Sequence, residues 1–189
     1  APFQYAAAAA GAESASGQLP AQEMADVYRV PQVTTATRVY GVLGGTVRRS
    51  LSPLLHNQAF AARRIDAVYV PLQAEGVGPF LRALPGLDLA GFSVTRPYKV
   101  EILPHLHEVE QQAAMCGSVN TVVVQGGTLR GSTTDGIGVV GPLKKRGELK
   151  GKGVLIVGAG GAARAAALAP RRKGARVTLA ARDLEQAAE

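Results

Sequence analysis

The stretch "VLIVGAGGAARAAALAPRRKGARVTLAARD", residues 154–183, decides the predicted fold. An apolar run leads into a glycine turn, an alanine-rich segment follows, and a second apolar run closes the unit. Gly158, Gly160 and Ala163 have the spacing G-x-G-x-x-A, in which the first glycine permits a tight turn and the second lets a pyrophosphate approach the backbone. The pattern predicts the first part of a dinucleotide-binding domain. A close-packed turn without a ligand is the alternative.

The second apolar run ends in "LAARD", residues 179–183. An acidic residue at this place binds the ribose of NAD, whereas an arginine accommodates the 2′-phosphate of NADP. Arg182 precedes Asp183, which favours NADP, although a solvated loop arginine is the alternative reading. We expect the helix to kink or end at Pro170, because proline lacks the N–H donor. The candidate cofactor-binding residues are Gly158, Ala159, Gly160, Gly161, Ala162 and Arg182.

Upstream of this unit, from Arg38, short apolar strands alternate with helical segments, which predicts an α/β layer. The predicted strands are "RVYGVLG", "AVYVPLQ", "LAGFSVT", "NTVVVQ" and "TLRGST". Helices are expected at about residues 52–64, 76–84, 97–105, 107–116 and 135–147. Gly126-Gly127 predicts a tight hairpin between the last two strands, so the sheet should be mixed.

Composition limits the classes of ligand and compartment. With 21 Lys plus Arg against 14 Asp plus Glu, the net charge of +7 suits anionic ligands. The basic residues form scattered pairs without aromatics between them, which favours a small anionic ligand over nucleic acid. A single Cys116 excludes an internal disulfide and fits a reducing compartment. No stretch reaches 18 apolar residues, so we expect a soluble, cytoplasmic protein without a membrane partner.

Polar residues follow several predicted strands, and ligands of open α/β sheets bind beyond the carboxyl ends of strands. The candidates are Ser50, Ser52, Thr95, Lys99, Asn120 and Asp135. Two serine hydroxyls suit a carboxylate. A lysine near an aspartate suits a hydroxyl–carbonyl centre, because the pair holds an exchangeable proton while a hydride moves on the other face. Taken singly, Ser52 and Asp135 could cap helices, and Lys99 could be solvated on a first helical turn.

Five motifs give the chain a resemblance to shikimate dehydrogenase over about residues 38–189. They are "GVLGGTVRRSLSPLLHNQAF", "GFSVTRPYKVEILPHLHEV", "GSVNTVVV", "STTDGIG" and "VLIVGAGGAARA", in the order and spacing typical of that family. The resemblance implies a mixed-sheet substrate-binding domain followed by a partial Rossmann NADP-binding domain. It also implies NADPH-dependent reduction of 3-dehydroshikimate to shikimate in aromatic amino acid biosynthesis, without a metal.

The resemblance assigns roles to the candidate residues. It implies that Ser50 and Ser52 bind the substrate carboxylate and that Thr95, Asn120 and Asp135 hold ring hydroxyls. Lys99 and Asp135 become the catalytic pair, with Lys99 as the proton donor. Four positions depart from the family's usual residues: Ser93 replaces Asn, Arg49 replaces His, Ala181 replaces Asn, and Asp183 replaces Thr or Ser.

Residues 1–30 resemble the end of a type I 3-dehydroquinate dehydratase, the last strand and helix of a (β/α)₈ barrel. Ser14 and Gln18 match that family's substrate-loop residues, whereas Ser16 replaces its usual proline. Dehydratase before dehydrogenase is the order of the fused bifunctional enzymes of the pathway. The dehydratase's Schiff-base lysine is not in this segment, so we expect no dehydration by this piece alone.

These resemblances predict five regions: the dehydratase end at 1–30, a linker at 31–37, a shikimate-binding domain at 38–134, a connecting helix at 135–150, and the start of the nucleotide domain at 151–189. We expect the rest of the nucleotide domain to lie beyond Glu189, so that the sequence is a fragment. The alternatives are a non-catalytic module that binds a shikimate-like acid, and a dehydrogenase that prefers quinate.

Overall fold

The structure is a computed structural model, and it describes residues 6–15 and 18–183. Contacts between residues divide the chain into two compact units, Ala1–Phe92 and Ser93–Glu189. Residues 1–5 and Ser16 of the dehydratase-like segment lie outside the described residues.

The described residues of the first unit form the elements α1 (Ala21–Asp26), β1 (Arg38–Gly44), α2 (Ser52–Ala62), β2 (Ala67–Gln73) and α3 (Val77–Ala83), with 3₁₀ turns at Val30–Gln32 and Leu84–Gly86. Strands β1 and β2 pair in parallel, from Arg38 opposite Ala67 to Gly44 opposite Gln73. Gly41 allows their side chains to fit, because a Cβ there would lie 2.5 Å from Leu72 Cδ1. These elements follow the predicted ones closely, since a run of apolar residues is sufficient to specify a buried parallel strand.

The side chain of Asn57 in α2 makes hydrogen bonds to the outer side of β2, which is the first strand in the sheet order. Its side chain is 1% exposed. The Asn57 amide donates to the Tyr69 carbonyl at 2.8 Å, and the Tyr69 N–H donates to Asn57 Oδ1 at 2.8 Å. The side chain thereby supplies both hydrogen bonds that a neighbouring strand would otherwise make.

Strand β3 (Leu89–Val94) contains the division between the units, and the six strands β1–β6 pair in the order β2-β1-β3-β5-β6-β4. The second unit contributes α4 (Tyr98–Glu101), β4 (Glu108–Val109), α5 (Gln111–Cys116), β5 (Thr121–Gln125), β6 (Thr128–Ser132) and α6 (Asp135–Lys144). Strands β5 and β6 are antiparallel, whereas β4 and β6 are parallel. The predicted mixed-sheet α/β fold is confirmed.

Two helix predictions in the second unit need correction. The helix expected at 97–105 is a four-residue helix, α4, followed by a 3₁₀ turn at Leu103–His105. The helix expected at 107–116 begins only at Gln111, because Glu108 and Val109 pair with β6 instead. The predicted hairpin is present, with positive φ at both Gly126 and Gly127.

The dinucleotide-like stretch folds as β7 (Gly153–Val157), α7 (Gly161–Arg171) and β8 (Arg176–Ala180). Strands β7 and β8 pair in parallel as a separate two-stranded sheet. Helix α7 ends one residue after Pro170, in agreement with the expected stop. Within the described residues, no helix is long and apolar enough to cross a membrane.

Candidate active site

Lys99 and Asp135 form an ion pair in the second unit. Lys99 lies in α4, and Asp135 is the first residue of α6, 36 positions later. Lys99 Nζ donates to Asp135 Oδ2 at 2.5 Å. The two side chains are 14% and 21% exposed, which leaves the pair accessible to a small molecule but shielded from most solvent. The alternative readings fit less well, because the Lys99 side chain is mostly shielded from solvent and the Asp135 oxygens bind the side chains of Lys99 and Asn120.

Asn120 holds the other oxygen of the same carboxylate. Its Nδ2 donates to Asp135 Oδ1 at 2.7 Å and to Thr134 Oγ1 at 2.9 Å. Its Oδ1 accepts the Thr134 N–H at 3.0 Å and the Thr121 hydroxyl at 2.8 Å. Both carboxylate oxygens of Asp135 therefore have donors, and the carboxylate is fixed before any substrate is present.

Backbone hydrogen bonds place these three residues at one point. The Val94 N–H donates to the Asn120 carbonyl at 2.8 Å, and the Asn120 N–H donates to the Ser132 carbonyl at 3.1 Å. The Val119 N–H donates to the Lys99 carbonyl at 2.8 Å. The segment 118–120 thus connects the end of β3, the start of α4 and the end of β6.

Thr95 lies between β3 and α4 and is half-buried, as is Ser93. Its carbonyl accepts the Tyr98 N–H at 3.0 Å, which starts the turn into α4. Thr95 precedes Lys99 by four residues and lies in the segment that joins β3 to α4.

Ser50 and Ser52 belong to the first unit, at the start of α2. The Ser52 N–H donates to Ser50 Oγ at 3.2 Å, and both residues are half-buried. Ser52 is the first residue of α2, and among the described residues its own hydroxyl makes no capping bond at that helix end. Arg48 and Arg49 are exposed beside them and make this end of the helix basic.

The glycine turn fits a dinucleotide phosphate. Gly158 has φ of +123°, a conformation that side chains rarely adopt. A Cβ at Gly158 or Gly160 would meet nothing within 4 Å, so the backbone faces open space there. Within the described part of the chain no side chain caps the N-terminus of α7, and N–H groups at such a helix start are suited to an anion. The residues present therefore fit NADP at this turn, with Arg182 exposed after β8.

Gly161 differs from its neighbours in the turn. A Cβ placed on it would lie 2.8 Å from Lys99 Cβ and 2.8 Å from Ser118 Oγ. The space beside Gly161 is thus filled by protein rather than open. The sequence motif assigned Gly161 to the cofactor, and the packing against Lys99 is a contact that the motif could not reveal.

Cys116 is buried at the end of α5. Burial raises the pKa of its thiol, which lies 3.5 Å from the Ala113 carbonyl and 3.4 Å from the Ser118 carbonyl. Cys116 is thus a small, buried residue of this unit. The described part of the chain contains no group of three or more His, Cys, Asp or Glu side chains that could hold a metal ion.

In the dehydratase-like segment, Ser14 and Gln18 contact each other. The Ser14 N–H donates to Gln18 Oε1 at 2.8 Å, and Gln18 Nε2 donates to Ser14 Oγ at 3.1 Å. The structure thus brings together the two residues that the resemblance singled out. Both are in the first unit.

Residues 42–122 match the family model of the shikimate dehydrogenase substrate binding domain. The matched range contains Ser50, Ser52, Thr95, Lys99 and Asn120.

Two individual proteins that are similar to this chain are also named as shikimate dehydrogenases. A shikimate dehydrogenase (NADP(+)) of Geobacter sp. (strain M21) is 44% identical over 158 residues, 81% of this chain and 54% of that protein. The bifunctional 3-dehydroquinate dehydratase/shikimate dehydrogenase of Arabidopsis thaliana, named as chloroplastic, is 37% identical over 192 residues, 93% of this chain and 32% of that protein. The chain spans about half the length of the first of these shikimate dehydrogenases.

Solved structures agree with the fold. The shikimate 5-dehydrogenase of Thermus thermophilus, in complex with NADP(H) and shikimate, has a TM-score of 0.72 and 35% identity to this chain. The match covers 80% of this chain and 59% of that one. The chain therefore has the α/β architecture of shikimate dehydrogenases over the part that is matched.

Proposed function

We propose that this chain takes part in the NADPH-dependent reduction of 3-dehydroshikimate to shikimate. The observation that carries the proposal is the Lys99–Asp135 ion pair, in which Asn120 binds the second carboxylate oxygen of Asp135. The ion pair and the glycine turn belong to the same unit. An ammonium held by a carboxylate is a proton donor beside a carbonyl, which is what ketone reduction requires.

In the reduction, the Lys99 ammonium donates its proton to the ketone oxygen of the substrate as that oxygen becomes a hydroxyl. NADPH, when bound, supplies the hydride that the carbonyl carbon takes up. Lys99 is left neutral and regains a proton from solvent through its exposed fraction. Asp135 Oδ2 accepts the hydrogen bond from Lys99 and keeps the lysine nitrogen aimed at the reacting oxygen.

Substrate recognition extends the same proposal. Ser50 and Ser52 bind the carboxylate, and exposed Arg48 and Arg49 raise the local positive potential at that helix end. Thr95, Asn120 and Asp135 bind ring hydroxyls. Because Asn120 Nδ2 already bonds Asp135 and Thr134, a hydroxyl that binds here shares or replaces those bonds rather than filling an unused donor.

For the cofactor, Gly158, Ala159 and Gly160 provide the turn around the pyrophosphate, and the start of α7 with Ala162 provides N–H donors. Arg182 binds the 2′-phosphate.

Replacing Arg182 with alanine is expected to weaken NADP binding about tenfold while changing NAD binding little, because only NADP carries the phosphate. Calorimetric titration of both nucleotides measures the difference. Equal loss for the two would indicate a change in the fold instead.

One assay separates the proposed function from its alternatives. The purified chain is mixed with shikimate and NADP⁺, and NADPH formation is followed by absorbance. A rise in absorbance supports the dehydrogenase, whereas calorimetric binding of shikimate without turnover supports a non-catalytic binding module. Comparison with quinate tests the third alternative, and neither turnover nor binding of either acid would contradict the proposal.

The domain organisation belongs to the proposal as well. We place the end of a dehydratase barrel at residues 1–30, a linker at 31–37, the shikimate-binding domain at 38–134, a connecting helix at 135–150 and the first part of a Rossmann domain at 151–189. The bifunctional Arabidopsis relative and the contact between Ser14 and Gln18 support a fusion with a dehydratase.

A cytoplasmic location also remains part of the proposal. The free, buried thiol of Cys116 supports a reducing compartment.

A further inference from the structure

Two glycines bring helix α7 against Lys99 and against the residue that follows Asp135. A Cβ on Gly161, the first residue of α7, would lie 2.8 Å from Lys99 Cβ and 3.5 Å from Lys99 Cδ. A Cβ on Gly136, the residue after Asp135, would lie 2.9 Å from Ala169 Cβ and 3.3 Å from the Ala165 carbonyl oxygen. The aliphatic stem of Lys99 and the first turn of α6 therefore rest on one helix, within a single unit.

We propose that α7 positions the Lys99–Asp135 pair, with Gly161 and Gly136 as the positioning residues. The inference rests on the proposed function in so far as the pair is the proton donor. The glycine turn leads directly into α7, so the element that faces the cofactor also fixes the lysine. A displacement of about 1 Å at a reacting group costs on the order of a hundredfold in rate, so such a contact matters for turnover.

Buried Ser118 closes the remaining side of this contact. Its side chain is 0% exposed, and among the described residues its Oγ has no hydrogen-bond partner. A hydroxyl left unpaired in this way is unfavourable, so Ser118 is placed there by packing rather than by its own bonds. Its Oγ would lie 2.8 Å from a Cβ on Gly161, at the same distance as Lys99 Cβ. At the position where a side chain on Gly161 would begin, Ser118 and Lys99 together leave room for a hydrogen atom only.

The chain offers a matched control for each glycine. Gly160 precedes Gly161 in the same turn, and Gly138 follows Gly136 by two residues in α6. A Cβ on either control residue would meet nothing within 4 Å. None of the four glycines has a positive φ, so alanine suits the backbone at every one and only the neighbouring atoms differ.

The readout is the ¹³Cε resonance of Lys99 in lysine-labelled protein, with Asp135→Asn as the reference for a broken pair. Gly161→Ala and Gly136→Ala are each expected to move this resonance at least halfway toward its position in Asp135→Asn. Gly160→Ala and Gly138→Ala are expected to leave it within the linewidth. Adding Ser118→Ala to Gly161→Ala should return part of the shift, because one of the two atoms that crowd the new methyl group is then removed.

The wild-type chain gives an independent test that does not depend on the variants folding. The protons on Gly161 Cα and Lys99 Cβ should show a strong nuclear Overhauser effect. Absence of that effect would overturn the proposal, as would an unchanged Lys99 resonance in folded Gly161→Ala and Gly136→Ala, or equal shifts in the controls. If the chain neither binds nor converts shikimate while these signals behave as expected, the proposed function fails and the positioning stands.

Turnover gives the second readout where the chain is active. Gly161→Ala and Gly136→Ala should lower kcat about tenfold to a hundredfold with a much smaller change in KM for shikimate. A purely structural defect would lower the amount of folded enzyme and leave the kcat of the folded fraction unchanged. That result, with normal Lys99 signals, would overturn the positioning role.

Discussion

Replacing Lys99 with alanine is expected to lower turnover of 3-dehydroshikimate by about 10²–10⁴-fold, the usual contribution of a positioned general acid. The change removes the proton that the ketone oxygen needs, while Asn120 continues to hold Asp135 through Oδ1. Affinity for shikimate should stay within about threefold, because other side chains hold the carboxylate and hydroxyls. NADPH absorbance measures turnover, and calorimetry measures shikimate binding.

Two further variants separate the ammonium from the rest of the lysine side chain. Lys99→Met keeps the aliphatic stem that packs on Gly161 and should lose as much turnover as Lys99→Ala. Lys145→Ala removes an exposed lysine near the end of α6 and should leave turnover unchanged. Near-normal kcat in Lys99→Met would exclude Lys99 as the proton donor. If Lys99→Ala were still impaired in that case, the role of the lysine side chain would be packing.

Local patterns in the sequence predicted most of the fold. The G-x-G-x-x-A spacing and the Gly126-Gly127 pair fix backbone conformation through neighbouring residues, and both turns are where the pattern placed them. The strand Glu108–Val109 was missed because two residues carry no periodicity of their own. They form a strand only because β6 offers them an edge.

The candidate site shows the same division between local and distant information. A general rule about the ends of strands allowed the polar candidates to converge, and the family resemblance made Lys99 and Asp135 a pair, although they are 36 residues apart. The rule could not show that Asn120 bonds the Asp135 carboxylate, since that depends on the side-chain geometry of the folded chain. Likewise, the motif placed Gly161 at the cofactor. It could not reveal the contact with Lys99, because a local motif contains no information about a residue that is distant in the sequence.

Asn57 is a case that sequence patterns hide completely. It lies on α2 between His56 and Gln58 and reads as an ordinary polar position, yet it is almost fully buried. Its function depends on Tyr69, a residue of the adjoining strand whose N–H and carbonyl both need partners. Only the position of β2 at the end of the strand order reveals why a helix supplies them.

Replacing Asn57 with alanine is expected to lower the free energy of unfolding by about 2–4 kcal/mol. Two hydrogen bonds to Tyr69 are lost, and each buried group left without this partner costs about 1–3 kcal/mol. Urea denaturation followed by circular dichroism measures the change. Gln58→Ala, at the exposed neighbouring position on α2, should change the free energy by less than about 0.5 kcal/mol.

Asn57→Leu distinguishes the lost hydrogen bonds from the cavity that alanine leaves. Leucine fills most of the volume but offers neither donor nor acceptor, so the leucine variant should be destabilised nearly as much as the alanine variant. Recovery of wild-type stability by leucine would show that packing, and not the bonds to Tyr69, accounts for the alanine result. If both variants matched the stability of Gln58→Ala, the edge of β2 would not depend on Asn57, because water or backbone adjustment would then satisfy the Tyr69 groups equally well.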